Sequence, residues 1–178
     1  MSRSKRLTDA DRMEIVREAD LYYDDQPEKY YSAIKEELDK FVDFRGFARL
    51  VMGQYATSAR YRSLDKVGRK RLKDQLDQFT EVIRENLVRT YSKGLLAFGG
   101  VEIELDSEAK NDDSKSLVPV RQLIYGDNLE PYVVVYQMRK TRDNKWKLRN
   151  IIVEDINLGK IFRNQFESAV LENNGDLD

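Results

Sequence analysis

The chain has no cysteine and no histidine among its 178 residues. Without cysteine there is no disulfide and no thiolate chemistry, and the composition suits a reducing or an oxidising compartment equally well. Without histidine the commonest general base, the usual serine triad and most zinc sites are excluded. Any catalysis would fall to carboxylates, Tyr, Lys or Arg. No apolar run approaches the roughly 18 residues of a membrane-spanning helix. An excess of one charge is missing as well: 31 Lys and Arg stand against 32 Asp and Glu, a net charge of −1. That balance argues against nucleic acid as the main partner, since such proteins normally carry a strong basic excess. Internal repeats, low-complexity tracts and a Gly-rich phosphate loop are absent too.

Apolar periodicity dominates what remains. Hydrophobic residues make up 40% and charged residues 35%, the profile of one well-charged globular domain. The start, "MSRSKRLTDADRMEI", is basic but has no apolar h-region, so it is not an intact secretory signal. A mature chain whose signal has been removed would look the same. Residues 1–8 are expected to be disordered or appended, and 9–178 to form a single domain. A short helix is expected over 9–20 and a second from Pro27, with Tyr30, Tyr31, Ile34, Leu38 and Phe41 as its stripe. Asp43 is expected to cap a helix carrying Phe44, Phe47, Leu50 and Val51, ended by Gly53. Ser63 is expected to cap the next. From there Leu64, Val67, Leu72, Leu76, Phe79, Ile83, Leu87, Tyr91 and Leu95 recur at mostly helical steps toward Gly99 and Gly100.

The period then changes. "GVEIELD", "LVPVRQLIY", "PYVVVYQMRK" and "KWKLRNIIVEDINL" are rich in β-branched and aromatic residues, and polar turns separate them. Four such runs predict an antiparallel meander, and 157–170 return to helical spacing. The fold class is α+β: N-terminal helices, one of them long and amphipathic, packed on a curved four-stranded antiparallel sheet, with a closing C-terminal helix. A cone of this kind, resembling the NTF2-like folds, commonly encloses an apolar cavity. Periodicity alone does not distinguish a filled core from a hollow one. Two further features read most simply as solvated surface. Asp106, Glu108, Asn111, Asp112 and Asp113 lack the Gly and closing Glu of a calcium loop, and Glu102 and Glu104 share one face of a strand. A basic cluster, Arg60, Arg62, Lys66, Arg69, Lys70, Arg71 and Lys73, is either the wet side of a helix or a patch for an anionic headgroup, a membrane surface or an acidic partner.

Three segments resemble one family. "VDFRGFARLVMGQY" is similar to the Asp-Phe, Ala-Arg, Val-Leu-Gly-x-Tyr segment of the MlaC family, the toluene-tolerance type of periplasmic phospholipid-binding proteins of Gram-negative bacteria. "VIRENLVRTYSKGL" resembles its helix with a Thr-Tyr motif, and "WKLRNIIVEDINLGKIFRNQF" its Trp-Lys ending. Asn150 stands where the family usually has Asp, Asp155-Ile156-Asn157 replaces Gly-Val-Ser, and Ala56 replaces an aromatic. The stretch from Tyr55 to Phe79, which holds the basic cluster, is longer than the family's.

The resemblance implies a non-enzymatic carrier that shuttles phospholipid between an outer-membrane lipoprotein–porin complex and an inner-membrane ABC transporter complex with a lipid-binding subunit. Such a carrier maintains outer-membrane lipid asymmetry and solvent tolerance. It implies periplasmic localisation, no cofactor, no metal and no catalytic residue. Tyr91 matches the Tyr of the Thr-Tyr motif, and Ile156 the Val before Ser. The lipid-binding residues implied are Phe47, Val51, Tyr55, Phe79, Ile83, Leu87, Tyr91, Val120, Val134, Trp146, Ile152, Ile156 and Phe162. Within the basic cluster, apart from the resemblance, Arg69, Lys70 and Arg71 are the residues expected to form a partner or headgroup patch if the cluster is more than a solvated helix face. Physically, a long apolar stripe without catalytic residues suits a ligand bound by burial. One C16 chain transfers about 15 methylene and methyl groups at about 0.8 kcal/mol each, a gross gain of about 12 kcal/mol. The alternatives are a small enzyme of similar fold with a Tyr, Asp or Glu base, and an interaction module with a solid core.

Overall fold

The computed structural model of the chain describes residues 18, 24–97, 102–105, 117–125 and 130–177, without the side chains of 94–97, 102–105, 124 and 125. The expectations for residues 1–8, for the stop at Gly99 and Gly100 and for the acidic loop at 106–113 lie outside these residues, as does the helix over 9–20 apart from helical Glu18.

Helix α1 spans Pro27–Phe41 and buries Tyr30, Tyr31 and Ile34. Pro27 stands in its first turn, where the missing N–H costs little. The chain then extends at Val42, which bridges to Leu148, and helix α2 comes next over Phe44–Met52. Asp43 caps α2, its carboxylate accepting from the Gly46 N–H at 2.8 Å. Gly53 ends α2 at φ 53°, a left-handed value that favours glycine, and leads into a short 3-10 turn over Gly53–Ala56.

The next stretch departs from expectation. A separate helix, α3 (Ser58–Ser63), is capped by Thr57, and its Ser63 hydroxyl donates to the Arg60 carbonyl rather than capping the long helix. The chain is extended at Leu64. The Asp65 carboxylate accepts from the Gly68 N–H at 2.7 Å and starts the 32-residue helix α4, Lys66–Ala97.

The strands are β1 (Glu102–Leu105), β2 (Leu117–Tyr125), β3 (Tyr132–Lys140), β4 (Trp146–Val153) and β5 (Ile156–Asn157), in the order β1-β2-β3-β4-β5 with every pair antiparallel. The expected four-strand meander is therefore present. Its last run breaks in two because Glu154 (φ 46°) and Asp155 (φ 66°) both turn left-handed, folding β5 back onto β4. Helix α5 (Leu158–Glu172) begins at once, capped by Asn157 at the Lys160 N–H.

Two apolar clusters hold the helices. In the first, Phe47, Ala48, Val51, Met52 and Ala56 pack against Leu72, Leu76 and Ile83 of α4, with Phe79, Phe162 and Phe166 around them. In the second, Tyr30, Tyr31, Ile34, Val42 and Phe44 pack against Val88, with Leu38, Tyr91 and Leu148 alongside. Leu87 touches both. Polar ties reinforce these contacts. The Arg84 guanidinium donates to Asp39 of α1, and these hydrogen bonds raise its already high pKa. Arg89 pairs with Glu28, and Arg45 of α2 with Asp77 of α4. Helix α4 thus packs closely on α2 and α1, and among the described residues no strand meets it as closely. Its buried residues are committed mainly to helical partners, with Leu148 of β4 packed alongside the second cluster.

Candidate functional site

The two faces of the sheet are set by register. On β2, Val118, Val120 and Gln122 are buried or half-buried while Leu117, Pro119 and Arg121 are exposed, so the even positions point inward. Their cross-strand partners on β3 are Met138, Tyr136 and Val134. Those in turn oppose Leu148, Ile151 and Val153 on β4. The pairing shifts between Gln137 and Met138, where β4 carries one extra residue, Arg149. Leu148 packs on the α1–α4 cluster, so this inner face is the one turned toward α1 and α4.

Among the described residues the inner face is mostly apolar and only partly covered. Val118 and Val134 are buried, while Val120, Tyr136, Met138, Ile151 and Val153 are only half-buried. Apart from Leu148, none of these residues belongs to either helical cluster. One polar pair sits among them. Gln122, 3% exposed, accepts a hydrogen bond from the Tyr136 hydroxyl at 2.5 Å. At one end Trp146 lies under the Lys140 ammonium, 5.7 Å from the ring centre.

The expected site residues divide into several groups. Phe47, Val51 and Ile83 are buried in the first helical cluster, with Phe79, Leu87 and Phe162 packed on it. Phe162 meets Phe47 edge-on at 6.1 Å. Tyr55 is half-buried between Phe166 and the Arg60 guanidinium. Tyr91 lies against the second cluster. Val120, Val134 and Trp146 stand on the inner face of the sheet. Ile152 pairs with Val135 and so belongs to the opposite face. That is also the face on which Asn150 clasps the start of α5: its side-chain oxygen accepts from the Gly159 N–H, and its amide donates to Gln137 and Asn157, each at 3.0 Å. A Cβ on Gly159 would meet that oxygen at 2.7 Å, which explains the glycine. Ile156, 52% exposed, stands at the rim beside the Glu154–Asp155 turn. Tyr136, Met138, Ile151 and Val153 are inner-face residues that the family resemblance does not single out. Alternation in "YVVVYQMRK" carries the signal for the first two, since they share parity with Val134.

The basic residues also sort. Arg69 turns inward, donating to the Tyr61 and Arg62 carbonyls at 3.1 and 2.9 Å and covering the Tyr61 ring. Arg71 pairs with Asp176 at 3.4 Å, and Lys70 with Asp74 at 2.7 Å, a hydrogen bond that raises the Lys70 pKa. Among the described residues no group of three or more acidic side chains is placed to hold a metal ion, and no helix is long and apolar enough to cross a membrane.

Comparison with known proteins adds relatives to this geometry. In the solved structures the chain is similar to a phospholipid-binding protein from Ralstonia solanacearum, determined in complex with a phospholipid. The TM-score is 0.73 at 17% identity, over 93% of this chain and 84% of that one, a likeness of fold. The toluene tolerance protein ttg2D of Pseudomonas putida is 33% identical over 156 residues, 88% of this chain. The chain spans 66% of that relative's length. The family model described as MlaC protein matches residues 8–178. A match over nearly the whole chain, on the helix–meander–helix framework and the capped segments described above, places the chain in the MlaC protein family.

Proposed function

We propose that this protein is a periplasmic phospholipid carrier. In this reading it holds the acyl chains of a diacyl phospholipid between the inner face of the sheet and helices α1 and α4. It carries them between an inner-membrane ABC transporter complex and an outer-membrane lipoprotein–porin complex, and it is not an enzyme. The observation that carries the reading is the division of the core. The helical clusters close on themselves, while Val120, Tyr136, Met138, Ile151 and Val153 remain half-buried on an apolar wall. An apolar wall without partner atoms forfeits dispersion contacts, and alkyl chains restore them. Family membership and the fold shared with a phospholipid-bound protein support the same ligand class. On this reading Val120, Val134 and Trp146 would line the wall, and Leu87 and Tyr91 would approach it from α4. Phe47, Val51, Tyr55, Phe79, Ile83 and Phe162 would close the helical end, and Ile156 would stand at the mouth.

The test is an organic extract of the purified protein, read by mass spectrometry, with subsequent stripping and back-addition of phospholipid. Diacyl phospholipid should be present. A ligand at about 100 times its Kd adds about 2.7 kcal/mol to a folded state that alone binds it. At about 2–4 °C per kcal/mol for a chain of this size, re-loading should raise the melting temperature by about 5–10 °C. A lipid-free extract together with an unmoved melting curve would overturn the carrier reading and favour a solid-core module.

A further inference from the structure

Residues 57–73, which contain α3 and the first two turns of α4, hold Arg60, Arg62, Lys66, Arg69, Lys70, Arg71 and Lys73 against one acid, Asp65. Seven cations less one anion give this segment +6, so in a chain of net −1 the remainder carries −7. The placement opposes local helix stability. The N-terminus of a helix carries a partial positive charge that favours acids, yet the first turn of α4 contains none, and Asp65 is the cap itself. A sequence that breaks a local rule in this way usually does so for a purpose elsewhere.

Lys66, Lys70 and Lys73 recur at i, i+4 and i+7, so they share one side of α4. Two apolar side chains stand among the cations: Tyr61, 45% exposed, and Val67, 75% exposed. Arg69 fixes α3 to α4 through the Tyr61 and Arg62 carbonyls, so these groups form one ordered surface.

We propose that this end of the molecule, α3 and the start of α4, docks on a lipid surface bearing anionic headgroups. Cations near such a surface each add attraction that salt screens, and an interfacial aromatic with an aliphatic neighbour gains by entering the headgroup layer. An acidic protein partner would answer the charge as well, but a basic helix face with an exposed aromatic and an exposed aliphatic side chain among its cations is the pattern of a lipid-surface helix. The surface goes beyond the carrier reading and uses none of the residues assigned to cargo.

Co-sedimentation with vesicles tests it, using neutral phosphatidylcholine against phosphatidylcholine with about a third phosphatidylglycerol. The parent should prefer the anionic vesicles by about 30-fold or more and lose about tenfold between low and moderate salt. With Arg62, Lys66, Lys70 and Lys73 all changed to Glu, binding should fall to the level on neutral vesicles. The melting temperature of that variant should stay within a few degrees of the parent's, because acids at the start of α4 match the helix dipole while the change at Lys70 gives up its pair with Asp74. Tyr61→Ser with Val67→Ser should weaken binding severalfold and leave the salt dependence in place. Equal binding to both vesicle types, no binding to either, or a charge-reversed variant that binds like the parent would overturn the proposal; the second result leaves an acidic protein as the occupant. Lipid content of the same preparations separates the two readings, since docking without cargo defeats only the carrier and cargo without docking defeats only this surface.

Discussion

Ile151 and Ile152 are chemically identical neighbours that the register sends to opposite faces, Ile151 opposite Tyr136 and Ile152 opposite Val135. If the inner face holds the acyl chains, Ile151→Glu puts a carboxylate against hydrocarbon, while Ile152→Glu puts it on the far side of the sheet. A charged acid in a hydrocarbon setting costs about 2.5–3.5 kcal/mol on insertion scales. That corresponds to a loss of about 100-fold in lipid affinity, at about 1.4 kcal/mol per tenfold. Both positions are half-buried in the parent, so the two variants start from similar exposure. The assay is phospholipid per protein after purification, with back-loading of stripped protein. Ile151→Glu should emerge largely empty and Ile152→Glu largely loaded. The defect should also depend on pH. Desolvation raises the pKa of the new acid, so the penalty is full above that raised value and fades as pH falls through it. Lipid retention by Ile151→Glu should therefore recover toward pH 5. The opposite pattern, Ile152→Glu empty and Ile151→Glu loaded, refutes the assignment of the ligand wall.

Asn150→Leu removes three hydrogen bonds and leaves the buried Gly159 N–H without its acceptor, so it should cost about 2–5 kcal/mol in a denaturant titration. Asn150→Asp keeps that acceptor at the start of α5 and should cost less; equal losses would show that the clasp is unimportant. The Ser92 hydroxyl is fully buried and has no partner among the described residues, so Ser92→Ala should match the parent or exceed it by up to about 1 kcal/mol, and a clear loss would reveal a further partner. The Asp143 carboxyl accepts from the Thr141 hydroxyl and pairs with Lys145, which lowers its pKa from 3.8 to about 2. Its contribution to the β3–β4 turn is thus complete above pH 4 and lost only as pH falls through about 2, and a carboxyl NMR titration with a midpoint near 3.8 would contradict that.

The elements that could be read in the sequence are those with an unbroken period. Asp43 before an apolar run, Pro27 in a first turn, the long stripe of α4 and the alternation of β2 all say directly what they become. Helix α3 was hidden because six residues span too few turns to show a period. The break before β5 was hidden because neither Glu154 nor Asp155 advertises a left-handed conformation as glycine would. The site was legible only in part. "NIIV" is continuously apolar, so nothing local says which isoleucine faces inward, and the extra residue at Arg149 shifts the parity between Ile151 and Trp146. The stripe of α4 likewise does not say whether its partner is helix, sheet or ligand. Here most of it is committed to α1, α2 and α5.

Helix α4 also sets a distance. Its 32 residues make a rod about 48 Å long, and about 38 Å separates Lys66 from Tyr91 at 1.5 Å per residue. That gap exceeds the hydrocarbon thickness of a bilayer, about 30 Å. A molecule standing on its basic end would hold its ligand wall well clear of the lipid beneath it. If the protein docks and carries lipid as proposed, contact there would tether it without unloading it and reduce a search through volume to a search across a plane. Transfer itself would then fall to whatever meets the far end of the rod.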